Sequence, residues 1–127
     1  MTRATVVSGA NFPNRVELSN GLSVTFDVPG DEPGAGPTST QGVSASLAAC
    51  TAGTLRLYAD RKGWDLDGLK VEVETTYEGP NPKLFQVTVG LPEGLDDDQR
   101  IRLMRVAGKC PVHRLLAEAI EVVVEEV

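Results

Sequence analysis

Cys50 and Cys110 are the chain's two cysteines, and their neighbours suggest that they do more than pack. Cys110 opens the run Cys110-Pro111-Val112-His113. A proline directly after the cysteine suits the first position of a helix, where the missing N–H costs nothing, so the thiol is expected at the N-cap. There the helix dipole and the unpaired N–H groups favour a thiolate. Cysteines so placed have acidities lowered from about 8.5, and the thiolate is the form that attacks peroxides and disulfides. The first expectation is therefore thiol redox chemistry. His113 is a possible third metal ligand, but no second Cys-x-x-Cys or His pair completes a zinc spacing, so neither a metal nor a cofactor is assigned.

The elements that must position these residues follow from periodicity. Strands are expected at 3–8, 15–19 and 22–28, the last two joined through Asn20-Gly21, the strongest short hairpin signal because both positions accept positive φ. Pro29 to Pro37 is rich in glycine and proline and reads as a loop. From Ser39 to Lys62 the pattern turns helical, with Val43, Leu47, Cys50, Thr54 and Leu57 on one side and Ser39 or Thr40 as the cap. Gly42 through Leu55 carries no charge and is mostly small. A helix of that kind is expected to be buried all round, with Cys50 in its middle.

Residues 69–77 alternate as a half-exposed strand, Glu78 to Pro82 turns the chain, and Phe85, Val87, Val89 and Leu91 face the core from the strand that follows. Asp96 with Gln99 resembles a capping box, and Asp97 and Asp98 precede Arg100, Arg102 and Arg105, the order that a helix dipole favours; residues 97–107 are expected to be a helix. The acidic run is thus a helix start, not a metal site. A further helix is expected from Pro111 to about Ala119, and a closing strand from Ile120 to Val127. Trp64 and Tyr58 are expected at the edge of the core. The order predicts an α+β fold with mainly antiparallel pairing. A central helix without a charged face needs more cover than these elements supply, and a homodimer is the economical solution.

At 127 residues the chain is expected to form a single domain, 1–127. A net charge of −6 with scattered basic residues argues against nucleic-acid binding. With no apolar run of about 18 residues and no signal-like N-terminus, no membrane association is expected and the cytoplasm is the default location. In that reducing compartment a cysteine pair is less a structural staple than a transient, catalytic or metal-binding one.

The segment Leu47-Ala48-Ala49-Cys50-Thr51-Ala52-Gly53-Thr54-Leu55-Arg56-Leu57-Tyr58-Ala59, with Arg61-Lys62-Gly63 and Leu69 to Val73, resembles the first cysteine region of the OsmC/Ohr family, the osmotically inducible and organic hydroperoxide resistance proteins. Lys109-Cys110-Pro111-Val112-His113 is similar to that family's second cysteine motif, in the Cys-Pro-Val-His form of OsmC-like members. The resemblance implies antiparallel β-sheets around a long buried central helix, in an intertwined homodimer with shared active sites. It further implies a thiol-dependent peroxidase acting on organic hydroperoxides. Cys50 would attack the peroxide and become a sulfenic acid, Cys110 would resolve it as a disulfide, and a dithiol, of lipoyl type in this family, would restore both. Helix position favours Cys110 as the more activated thiol, whereas the resemblance gives the attack to Cys50. It also implies an activating arginine, whose nearest counterpart here is Arg15, and substrate contacts from Gln41 and His113. The chain departs from the family pattern at Thr40, where Ohr proteins carry a glutamate. That departure favours the alternative, a binding or redox-sensing module on the same fold that holds a small apolar or thiol-containing metabolite with little turnover.

Overall fold

A computed structural model describes residues 1–30, 34–118 and 120–127. Asp31, Glu32 and Pro33, inside the predicted loop, and Ala119, at the predicted end of the last helix, lie outside the described residues. The elements run β1 (Ala4–Val6), β2 (Asn14–Leu18), β3 (Ser23–Phe26), α1 (Ser39–Lys62), β4 (Lys70–Glu78), β5 (Asn81–Gly90), α2 (Asp97–Ala107) and α3 (Pro111–Ala117). The chain divides into two compact units, Met1–Val43 and Ser44–Val127.

In the N-terminal unit β1, β2 and β3 form an antiparallel sheet in that order. The β2–β3 turn is not the two-residue type suggested by Asn-Gly. Asn20 keeps a negative φ and only Gly21 takes the left-handed region, at φ 87°. Leu18 N–H bonds Leu22 O across a three-residue loop, and Asn20 Oδ1 accepts from Leu22 N–H. This arrangement gives hairpin strands the right twist with a single positive φ, and the Asn side chain closes an Asx turn. At the start of α1 the cap is Thr38, not Ser39 or Thr40. Thr38 Oγ1 accepts from Gln41 N–H at 3.2 Å and Gln41 Oε1 accepts from Thr38 N–H at 3.0 Å, a reciprocal capping box. Gly42 lies against the Phe26 ring, which a Cβ would strike.

In the second unit α1 ends in a Schellman motif. Gly63 takes φ 71°, Trp64 N–H bonds Ala59 O at 2.9 Å, and Gly63 N–H bonds Asp60 O at 3.2 Å. Trp64 folds back edge-on to Tyr58, 5.7 Å between ring centroids, which supplies the apolar contact this motif favours. Both rings pack against the core of Leu55, Ala59, Leu66 and Leu103, together with Leu69, Val89 and Leu91 from the β-hairpin and its flank. Val71 pairs with Val89 and Val73 with Val87 in the antiparallel β4–β5 ladder, which carries a bulge at Thr76/Tyr77. Ser44 Oγ meets Thr75 Oγ1 at 2.7 Å and ties α1 to β4. The α2 boundaries match the sequence reading, and both halves of the Asp96/Gln99 box are made.

Two further expectations are corrected, the inward face of α1 and the closing strand. Within one chain α1 buries Leu47, Thr51, Leu55 and Ala59 as one stripe at four-residue spacing, the rest of its cover being what a homodimer was expected to supply. Leu57, expected on the inner side, is 61% exposed. Alanine, serine and threonine carry little apolar contrast, so the sequence pattern misjudged the helix's rotation by one residue. Residues 120–127 form neither strand nor helix, and Val124 is 91% exposed. A strand exists only through a partner's N–H and C=O groups, and no described residue pairs with this segment.

Candidate active site

Cys50 sits at mid-helix in α1 beside buried Thr51. Cys110 arrives from the other direction, at the turn between α2 and α3. Leu103 anchors α2 in the core, Lys109 N–H bonds Val106 O as the helix ends, and Cys110 takes an extended backbone with φ −67° and ψ 143°. Pro111 then starts α3, as the Cys-Pro order predicts. The Cys110 sulfur accepts the His113 N–H at 3.1 Å, the N-cap bond usually made by serine or aspartate.

The two cysteines are neighbours in space: Thr51, next to Cys50 on α1, places its Oγ1 3.8 Å from the Cys110 sulfur, and Cys50 is among the groups that favour the Cys110 thiolate. Both cysteines are free; Cys110 is fully buried and Cys50 half-buried. Burial pushes the Cys110 thiol up, but hydrogen bonds from His113 N–H, Cys50, Thr51 and Val112 N–H outweigh it and hold the thiol below its usual acidity constant. A sealed sulfur is thus drawn toward the thiolate by its hydrogen-bond donors.

His113 lines a cavity of about 250 Å³ whose other walls include Leu47, Phe85, Val87 and Leu116, a mostly apolar hollow with Lys83 on its lining. Among the described residues no group of three His, Cys, Asp or Glu side chains is placed to hold a metal. Arg15 and Gln41 belong to the N-terminal unit. The Arg15 guanidinium bonds Ser23 Oγ at 3.0 Å and pairs with Glu17 at 3.2 Å. The Gln41 side-chain oxygen is engaged in the α1 capping box. The residue that sequence reasoning missed is Thr51. Its adjacency to Cys50 was visible, but nothing local pointed its hydroxyl at a sulfur far along the chain.

Known proteins share the fold that carries these residues. A protein-family model described as OsmC-like protein matches residues 30–125. No curated protein matches the chain. The OsmC-like protein from Mycoplasma pneumoniae is similar at 18% identity and a TM-score of 0.76, over 94% of this chain and 89% of that one. An organic hydroperoxide resistance protein from Legionella pneumophila is similar at 24% identity and a TM-score of 0.54, over 91% and 88%. The organic hydroperoxide resistance protein OhrB of Bacillus subtilis is similar at 20% identity and a TM-score of 0.55, over 90% and 88%. At these identities the likeness is one of fold, α+β with antiparallel sheets and a central helix. No described helix is long and apolar enough to cross a membrane.

Proposed function

Since the chain belongs to the OsmC-like family, we propose that it is a thiol-dependent peroxidase that reduces organic hydroperoxides with Cys50 and Cys110 as its redox pair. The observation that carries the reading is that the Cys110 sulfur lies 3.8 Å from the hydroxyl of Thr51, the residue next to Cys50, so that folding brings together two cysteines distant in sequence, one reachable and one sealed. Cys50 as thiolate attacks the terminal peroxide oxygen, the O–O bond breaks, and the alkoxide leaves as the alcohol after taking a proton. Cys110 then attacks the sulfur of the Cys50 sulfenic acid, the S–O bond breaks, and water leaves with the disulfide formed. A dithiol of lipoyl type reduces the disulfide and resets both thiols.

Exposure divides the labour. A half-buried Cys50 is open to a substrate, whereas a fully buried Cys110 meets only what Cys50 becomes. A resolving thiol held toward thiolate shortens the life of the sulfenic acid and so limits over-oxidation. The apolar cavity beside His113 suits the organic group of the hydroperoxide. A homodimer fits the same reading. It would cover the flanks of α1 left open in one chain, and it would shelter Val122, Val123 and Val124, which are exposed here.

The deciding experiment is intact-protein mass spectrometry after one equivalent of cumene hydroperoxide. A loss of two hydrogens with a Cys50–Cys110 disulfide in the peptide map is the expected result. Recovery of unmodified thiols, or slow conversion to sulfonic acid without disulfide, refutes the reading.

A further inference from the structure

Thr51 is the only buried polar residue among those described, at 1% exposure. Its hydroxyl has one hydrogen to give and faces two acceptors, Leu47 O at 2.8 Å and Cys110 Sγ at 3.8 Å. The Leu47 carbonyl already receives the Thr51 backbone N–H through the i→i−4 ladder of α1, so the hydroxyl's bond to it can be given up without leaving an orphan. The sulfur has no such reserve. Cys110 is closed to solvent, and a buried group that changes its protonation state must find an acceptor for its S–H in one state and extra donors for its charge in the other. A threonine hydroxyl supplies both by turning about a single bond, with no heavy atom moving.

We propose that Thr51 is a positioning residue for Cys110, its hydroxyl bonding Leu47 O and accepting the S–H while the cysteine is a thiol, and turning to donate to the sulfur when it becomes a thiolate. The groups that act on the Cys110 sulfur are the N–H groups of His113 and Val112, the Cys50 thiol and this hydroxyl; Cys50 is the one titratable side chain among them and none is charged. Thr51 is thus the one donor of the four that is neither fixed backbone nor a partner in the redox reaction. Within the proposed peroxidase cycle, on which this part rests, the turn of the hydroxyl accompanies resolution. The Cys110 thiolate gives an electron pair to the Cys50 sulfur, the S–O bond of the sulfenic acid breaks, and the hydroxide leaves as water with the proton that Cys110 released.

The test begins without peroxide. In a Cys50→Ser background Cys110 is the only thiol, and its ultraviolet thiolate absorbance is titrated with threonine, valine, alanine or serine at position 51. Thr51→Val keeps the volume and Thr51→Ala favours the helix, so the result does not hang on the folding of one variant. Loss of a donor to a charged group is expected to raise the midpoint by about one pH unit in both, and Thr51→Ser should return it to within about 0.3 unit. Midpoints within about 0.3 unit of the threonine protein for valine and alanine alike overturn the proposal. In the otherwise unsubstituted chain, Thr51→Val should slow disulfide formation about tenfold at neutral pH and divert Cys50 toward sulfinic acid after cumene hydroperoxide. If neither disulfide nor sulfinic acid forms in any variant, the peroxidase reading fails while the titration still decides the role of Thr51.

Discussion

Leu103→Ala tests the packing that delivers Cys110 to Cys50. Leu103 is fully buried and belongs to the cluster of Leu55, Ala59 and Leu66, so it is the residue through which α2 grips α1 before the chain turns to the second cysteine. Removing three carbons forfeits about 2.4 kcal/mol of transfer free energy at about 0.8 per methylene. The cluster is closed by Val89 of β5, by Leu69 and Leu91 at the ends of the hairpin, and by two aromatic rings, which limits its collapse. A residual cavity then raises the cost to about 3–5 kcal/mol, the range for buried leucines in well-packed cores. For a domain with a total stability of about 5–15 kcal/mol that loss is large. Trp64 packs against the same cluster and is the chain's one tryptophan, so its fluorescence in urea follows this core directly. With a slope of about 2 kcal/mol/M, the midpoint should fall by roughly 2 M. Ile101→Ala, on the same helix but at a site 53% exposed, is the control and should change stability by less than about 0.5 kcal/mol. The variant should also form the Cys50–Cys110 disulfide more slowly, since α2 would no longer hold the turn firmly. A midpoint shift below about 0.5 M for Leu103→Ala, or an equal shift for both variants, would refute the placement of α2 on α1.

Two further outcomes are expected. The resemblance gives Arg15 the task of holding Cys50 as a thiolate, and a lost charge-assisted hydrogen bond of about 1.5–3 kcal/mol corresponds to roughly 10- to 100-fold in rate. Stopped-flow oxidation by cumene hydroperoxide should therefore slow by that factor in Arg15→Met, and an unchanged rate removes Arg15 from the site. Hydrogen bonds from Ala35 N–H and Val28 N–H hold the Asp27 carboxyl below the usual carboxylate range. Its folded value lies below its unfolded one, so the stabilisation is present above about pH 4 and is lost as pH falls through the lowered folded value. Thermal unfolding of the wild type and Asp27→Asn should differ by a constant amount above about pH 5 and converge in stronger acid; a gap that does not narrow contradicts this.

Elements whose stabilising bonds close within three or four residues are marked in the sequence by the residues that make those bonds. Asp96 and Gln99 satisfy each other's backbone donors, and α2 begins where they do. Pro111 fixes the first turn of α3 and leaves Cys110 to cap it through the His113 N–H. Gly21 bends the hairpin between β2 and β3, although the turn's type depended on three residues and not two. What the sequence could not decide depended on partners distant in the chain. The buried stripe of α1 was misjudged because small side chains do not mark a face until a core of Leu66 and Leu103 is brought against it. Residues 120–127 carry the composition of a strand, but strand formation needs a neighbouring ladder. The meeting of Cys50 with Cys110, and the direction of the Thr51 hydroxyl, were set only when α1 and the α2–α3 turn packed together, because a hydrogen bond to sulfur depends on positions in space that no local pattern encodes.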